Sequence, residues 1–221
     1  MQLGANIEQE GTKKMDVQVD YKLGILAYGS LIDDSGKEIS MIEATRIECE
    51  TPFNVEFARI SSTRGNAPTL IPVEQGGRKV RAIIIILREE TDIEDAKSIL
   101  WRRETRNIGT YTHSDSPNLN KVIVKTIENF MNVQTVLYTS IGCNINEPLT
   151  SELLAKFAIS SILTKAGQEK KDGLRYLLSI NQNGIVTELS EKYERKILEI
   201  TDTATLEQAI EKLDKQRNIY N

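Results

Sequence analysis

This chain is nearly without histidine and poor in cysteine, and each shortage removes a class of function. His113 is the only histidine in 221 residues. A site built on several imidazoles is therefore excluded, and any serine–histidine arrangement depends on that one ring. Cys49 and Cys143 are the only cysteines. Two thiols so far apart give neither a metal-ligand spacing nor a disulfide framework, and a reducing compartment is the expected setting. No apolar run approaches the ~18 residues that cross a bilayer, and the first residues carry no signal-peptide core. A cytoplasmic protein with no membrane partner is expected. The formal net charge of −4 and a pI near 5.3 lack the basic excess that tracks phosphates, so no nucleic-acid partner is expected. Neither a Walker pattern nor a Gly-x-Gly-x-x-Gly run occurs, which removes P-loop and dinucleotide chemistry.

What is present describes an ordinary globular chain, 39% hydrophobic and 27% charged. Residues 1–20 are polar and without periodicity, so a loosely ordered lead-in is expected there, with Met15 as a second candidate start. Residues 21–200 form the main domain in this reading, and 201–221 a C-terminal helix. The first buried strand is expected at Leu23–Tyr28. Asp33-Asp34-Ser35-Gly36 marks a loop, and Glu38–Arg46 a short helix or irregular segment. Alternation at Phe53, Val55 and Phe57 predicts a strand over Phe53–Ser61, and another follows at Thr69–Val73. Val80–Leu87 is a continuous β-branched run, as in a strand buried on both faces. Asp92–Thr105 is the first clear helix, and strands are expected at Lys121–Ile127 and Gln134–Ile141. From Thr150 onward helices dominate, over Ser151–Ala166, Leu174–Ile180, Val186–Leu198 and Thr203–Tyr220. The class is α+β, with a small mixed β-barrel or curled sheet surrounded by helices and a helical C-terminal part.

Two places carry chemistry. The first is Tyr28-Gly29-Ser30-Leu31, where a buried strand ends in a tight turn. Glycine admits a backbone conformation that a side chain forbids, and successive free amides form a concave seat for a carboxylate. The second is Glu104. On a helical wheel it falls on the apolar face with Ile93 and Leu100, at the negative end of the helix dipole. Desolvation and the dipole both favour its protonated form, as a general acid/base near neutral pH requires. The alternative is a structural carboxylate paired with Arg102, Arg103 or Arg106. Ser30 has no base partner in the sequence, His113 reads as a surface residue, and Cys143 as a small packing residue.

With the Tyr28–Leu31 turn and Arg103-Glu104 both in view, the chain resembles the gamma-glutamylcyclotransferases, most closely the ChaC-type, glutathione-degrading branch. Thr63-Arg64-Gly65, Thr69-Leu70-Ile71, Gly109-Thr110-Tyr111, Leu137-Tyr138-Thr139 and Gly173-Leu174-Arg175-Tyr176 extend the resemblance from about Lys22 to Leu198. The resemblance implies an enzyme that releases 5-oxoproline from glutathione or a related gamma-glutamyl peptide or amine. It makes Glu104 the catalytic acid/base, and Tyr28, Gly29, Ser30, Leu31 and Tyr111 the substrate-binding residues. No metal or cofactor is implied, and a monomer or small homo-oligomer is expected. Asp33 and Thr63 stand where that branch carries tryptophan and histidine, so a shifted substrate preference is expected. The other class of reading is a non-catalytic binding or interaction domain on the same fold.

Overall fold

A single strand, β1 (Tyr21–Ala27), runs through the middle of the molecule and places everything else. It is seen in a computed structural model that describes residues 20–114 and 118–220. The lead-in expected at 1–20 thus lies outside the described residues, apart from Asp20. On one side β1 pairs antiparallel with β5 (Arg81–Leu87), with Ile25 opposite Ile85. On its other side it pairs parallel with β7 (Val133–Ser140), with Ile25 opposite Leu137. The outer strands are β2 (Glu43–Glu50), antiparallel to β5, and β6 (Ile123–Phe130), antiparallel to β7. The order is β2-β5-β1-β7-β6.

The apolar run of β5 follows from its place in this sheet. Ile83, Ile85 and Leu87 enter the large core beneath the helices, whereas Ala82, Ile84 and Ile86 join Leu26, Val133 and Val136 in a second, smaller cluster. Successive side chains point to opposite faces, so a strand with both faces covered needs apolar residues throughout. β3 (Asn54–Ser61) and β4 (Ala67–Val73) form a separate antiparallel pair.

Two expectations are corrected here. β2 and β6 remain as open edges among the described residues, so the architecture is α+β without a closed barrel. The segment read as a helix or irregular over Glu38–Arg46 divides in two. Helix α1 (Lys37–Ile42) stops, and β2 begins at Glu43. The strand hides from its sequence because it is a charged edge, with Ile47 and Cys49 only partly covered.

Helix α2 (Ile93–Thr105) is capped by Asp92, whose carboxylate accepts from the Glu94 and Asp95 N–H groups at 2.8 and 3.2 Å. Ala96 and Leu100 are wholly buried on its inner face. The C-terminal part holds α3 (Ser151–Ile162), α4 (Lys165–Gln168), α5 (Gly173–Gln182), α6 (Ser190–Thr201) and α7 (Leu206–Tyr220). The helix expected through Ala166 breaks at Leu163, where Thr164 caps α4. The helix expected from Val186 starts only at Ser190, because the Ser190 hydroxyl accepts from the Thr187 N–H at 2.7 Å and holds a turn there. Helices α3 and α5 both lie against β4. The buried Glu56 on β3 anchors the start of α6. Its carboxyl accepts from the Thr187 hydroxyl at 2.6 Å, from the Phe57 N–H at 2.8 Å and from the Leu189 N–H at 3.1 Å. Among the described residues no helix is long and apolar enough to cross a membrane.

Candidate active site

Strand β1 ends at Ala27, and Tyr28 is still extended, with φ −139° and ψ 164°. At Gly29 the backbone turns over to φ +63° and enters a single 3-10 turn, Gly29–Leu31. A side chain at Gly29 would be strained by that φ and would also sit 3.3 Å from the Tyr176 hydroxyl. As at every helical start, the leading amides have no intrahelical acceptor. The turn is tied to the end of α2 by Arg103, which donates to the Asp34 carbonyl through Nε at 3.0 Å and through Nη2. This bond brings two segments far apart in sequence to one cleft. Its cavity, of about 220 Å³, is lined by Tyr28, Ser30 and Leu31 on one side and by Glu104 on the other. Gly29 is buried behind its neighbours and does not line the cavity.

Glu104 emerges one turn beyond the buried Leu100 and enters the cavity, not the core. Its side chain is 31% exposed at the mouth. Its nearest cation is Arg103 Nη1 at 3.6 Å, too long for a hydrogen bond. Burial raises its pKa from the ordinary 4.5, while Arg103 and then Arg64 pull the other way. The pairing that would make it structural is therefore loose. Beside it, burial first and the Glu104 charge second push the Tyr28 phenol well above its ordinary value. Tyr28 stays protonated and able to donate.

A third wall comes from the segment between β3 and β4. The 3-10 turn Ser62–Arg64 ends at Gly65, where φ is +68° and a Cβ would lie 2.3 Å from Thr164 Oγ1, so no side chain fits. This sets Arg64 with its guanidinium carbon 4.1 Å from the centre of the Tyr176 ring, a cation–π contact. Arg64 Nη2 lies 3.5 Å from the Ser30 hydroxyl. The Tyr176 hydroxyl accepts from the Leu70 N–H at 3.4 Å. Arg59 and Arg106 also line the cavity. Four arginines, Arg59, Arg64, Arg103 and Arg106, thus line a cavity that holds one carboxylate, and the site favours an anion.

Tyr111 is not part of this site. It is buried against α2 and β6, where Ser98 Oγ accepts from its N–H at 3.0 Å and its hydroxyl accepts from the Val124 N–H at 3.1 Å. Of the Gly109-Thr110-Tyr111 motif only Tyr111 packs, while Gly109 and Thr110 are exposed. His113 sits beside it, with Nδ1 3.2 Å from the Tyr111 hydroxyl, and does not line the cavity with Ser30. Thr63 lines the cavity; Asp33 does not, accepting instead from Asn183 Nδ2 at 2.6 Å and Ser179 Oγ at 3.2 Å. Cys143 is exposed and not a packing residue, and burial pushes the Cys49 thiol up to about 11. Among the described residues no group of three or more His, Cys, Asp or Glu side chains is placed to hold a metal ion.

Arg59, Arg64 and Tyr176 are the residues whose role the sequence does not disclose. Arg64 and Tyr176 stand inside motif segments without an assigned function, and Arg59 has no signal at all. No protein-family model matches the chain, and no curated protein matches it.

Proposed function

We propose that this chain is a gamma-glutamylcyclotransferase of the gamma-glutamylcyclotransferase-like fold, acting in the cytoplasm on a gamma-glutamyl compound. The observation that carries the reading is Glu104: a carboxyl with raised proton affinity, no hydrogen-bond partner among the described residues, and a place in the same cavity as the Tyr28–Leu31 turn. A carboxylate left without donors is available to a substrate, and its shift towards neutrality suits proton transfer.

In the proposed reaction the substrate's α-carboxylate sits at the turn amides, with Arg64 beside it. Glu104 takes a proton from the α-amino nitrogen, which then attacks the γ-carbonyl carbon of the same glutamyl unit. The new C–N bond closes the five-membered ring, and the carbonyl electrons move onto oxygen. As they return, the bond to the leaving nitrogen breaks and Glu104 delivers the proton there. The products are 5-oxoproline and the free amine, with no water consumed and no covalent enzyme intermediate. The attack is intramolecular, so the protein's main task is to hold the chain folded for closure, which is where the arginine-rich walls act. The protonated Tyr28 and Tyr176 phenols are donors for the oxygen that gains charge. The test is 5-oxoproline release from a panel containing glutathione, gamma-glutamyl amino acids and gamma-glutamyl amines. Release from at least one member is expected, with a preference other than glutathione because Thr63 lines the cavity. No release from any member would overturn the assignment.

A further inference from the structure

Arg59 is held in the cavity in a way that the glutamyl half of a substrate does not use. It projects from β3 and donates through Nη1 to the Gly142 carbonyl at 2.7 Å and the Leu119 carbonyl at 3.1 Å, and through Nη2 to Asn120 Oδ1 at 2.9 Å. All three acceptors are neutral, and no ion pair to it is formed among the described residues. Burial accordingly lowers its pKa from the ordinary 12.5. A guanidinium carries five N–H donors. The three bonds leave the Nε–H and one Nη2 N–H, on the two nitrogens that form the side-on edge for a bidentate carboxylate. The three neutral bonds fix the plane of the fork while leaving its charge uncompensated. Two of the other cavity arginines are engaged differently, Arg103 on Asp34 and Glu104 and Arg64 over Tyr176 and beside Ser30, while Arg106 stands exposed just past the end of α2.

We propose that Arg59 reads a second carboxylate, carried by the leaving half of the substrate, so that amino-acid or peptide conjugates of gamma-glutamate are preferred over conjugates of simple amines. This rests on the cyclotransferase reading and narrows it. The first carboxylate belongs to the turn and Arg64, on the glutamyl side. The second meets Arg59 at the cavity wall built from β3 and the loops that follow residues 118 and 141.

The test compares gamma-glutamylglycine with gamma-glutamylglycinamide, which differ only in that carboxylate. Equilibrium binding is measured by calorimetry on the full chain carrying Glu104→Gln, so that neither ligand is consumed. The acid is expected to bind at least about tenfold more tightly than the amide, as for a charge-assisted bidentate pair. Adding Arg59→Gln should bring that ratio close to one, and Arg59→Lys should leave it in between. A melting curve accompanies each variant, since Arg59 also staples two loops; a purely structural Arg59 would lower the melting temperature and leave the ratio where it was. Equal binding of acid and amide, no binding of either, or a ratio indifferent to both Arg59 variants would each overturn the proposal. If Arg59→Gln does not fold, the wild-type ratio and Arg59→Lys decide it. 5-Oxoproline release from gamma-glutamylglycine is followed separately on the wild type. Tight acid binding without release would sink the cyclotransferase reading and leave Arg59 as a carboxylate site.

Discussion

Glu56 and Glu104 are carboxyl groups that the regions around them treat in opposite ways. At the junction of β3 and α6, Glu56 is 3% exposed and accepts three hydrogen bonds, from a hydroxyl and two backbone amides. In the cleft between the Tyr28–Leu31 turn and α2, Glu104 is nearly a third exposed and has only Arg103 at 3.6 Å and the field of Arg64. Between these two, burial alone would mark Glu56 as the unusual residue. Hydrogen-bond saturation separates them: donors that hold a carboxyl also occupy its lone pairs, so the saturated group is an anchor. The unsaturated group, with positive charge near it but not bonded to it, is the one a substrate can use.

The same substitution at both positions gives the sharpest contrast. Glu104→Gln keeps size and shape but cannot carry the proton. Turnover of a responsive gamma-glutamyl substrate should fall by about 10²–10⁴, the range for general acid–base catalysis, with the melting temperature near wild type. Single-turnover 5-oxoproline formation beside a melting curve reads both. Near-normal turnover in a folded variant would remove the chemical half of the comparison.

Glu56→Gln should do the reverse. Whichever way the new amide turns, its NH₂ faces a backbone N–H, that of Leu189 or that of Phe57. The loss should be about 1–3 kcal/mol of stability, seen as a lower denaturation midpoint, with turnover per folded molecule unchanged. A variant as stable as wild type would break the contrast from the other side.

A smaller effect tests the field on Glu104. Its pKa in the folded state lies above the ordinary 4.5. The folded protein therefore holds that proton more tightly than the unfolded chain does. The protonated form's contribution to stability is complete below the ordinary value and is lost as pH rises through the raised one. For catalysis the base must be ionised, so the acidic limb of kcat/KM should lie above 4.5. Arg64→Gln removes a cation that favours the ionised form and should move that limb further up. A limb that stays put or moves down would show that Arg64 does not act on Glu104.

Much of the fold can be read from periodicity, and the reasons for the misses are physical. β5 announces itself because both faces are covered, and α2 because its cap, apolar face and terminal arginines agree. β2 stays hidden because an edge strand is specified by its neighbour β5 and not by its own charged residues. In the site, the glycine turn and Glu104 are legible because each is a local feature. Arg59 and Arg64 are not, since their meaning depends on where a separate two-stranded sheet directs them. Tyr111 misleads because a short motif in a loop carries no periodicity to fix its direction. Its hydrogen-bonding contacts to Ser98, His113 and Val124 are visible only in three dimensions.

The parallel pairing of β1 with β7 bears on how the molecule comes into being. Tyr21 and Val133, which sit side by side, are about 110 residues apart in the chain, so closing that contact requires a long loop to be ordered first. β1 is made early and waits, its apolar run unpartnered on that side, until β7 has been synthesised and docks. During synthesis that run is a sticky, unpaired edge. The cavity wall at Thr139 and Ile141 is then added late, after the turn and the end of α2 have been made. A chain stopped short of β7 would contain Tyr28, Arg64 and Glu104 and still lack that wall of the cavity.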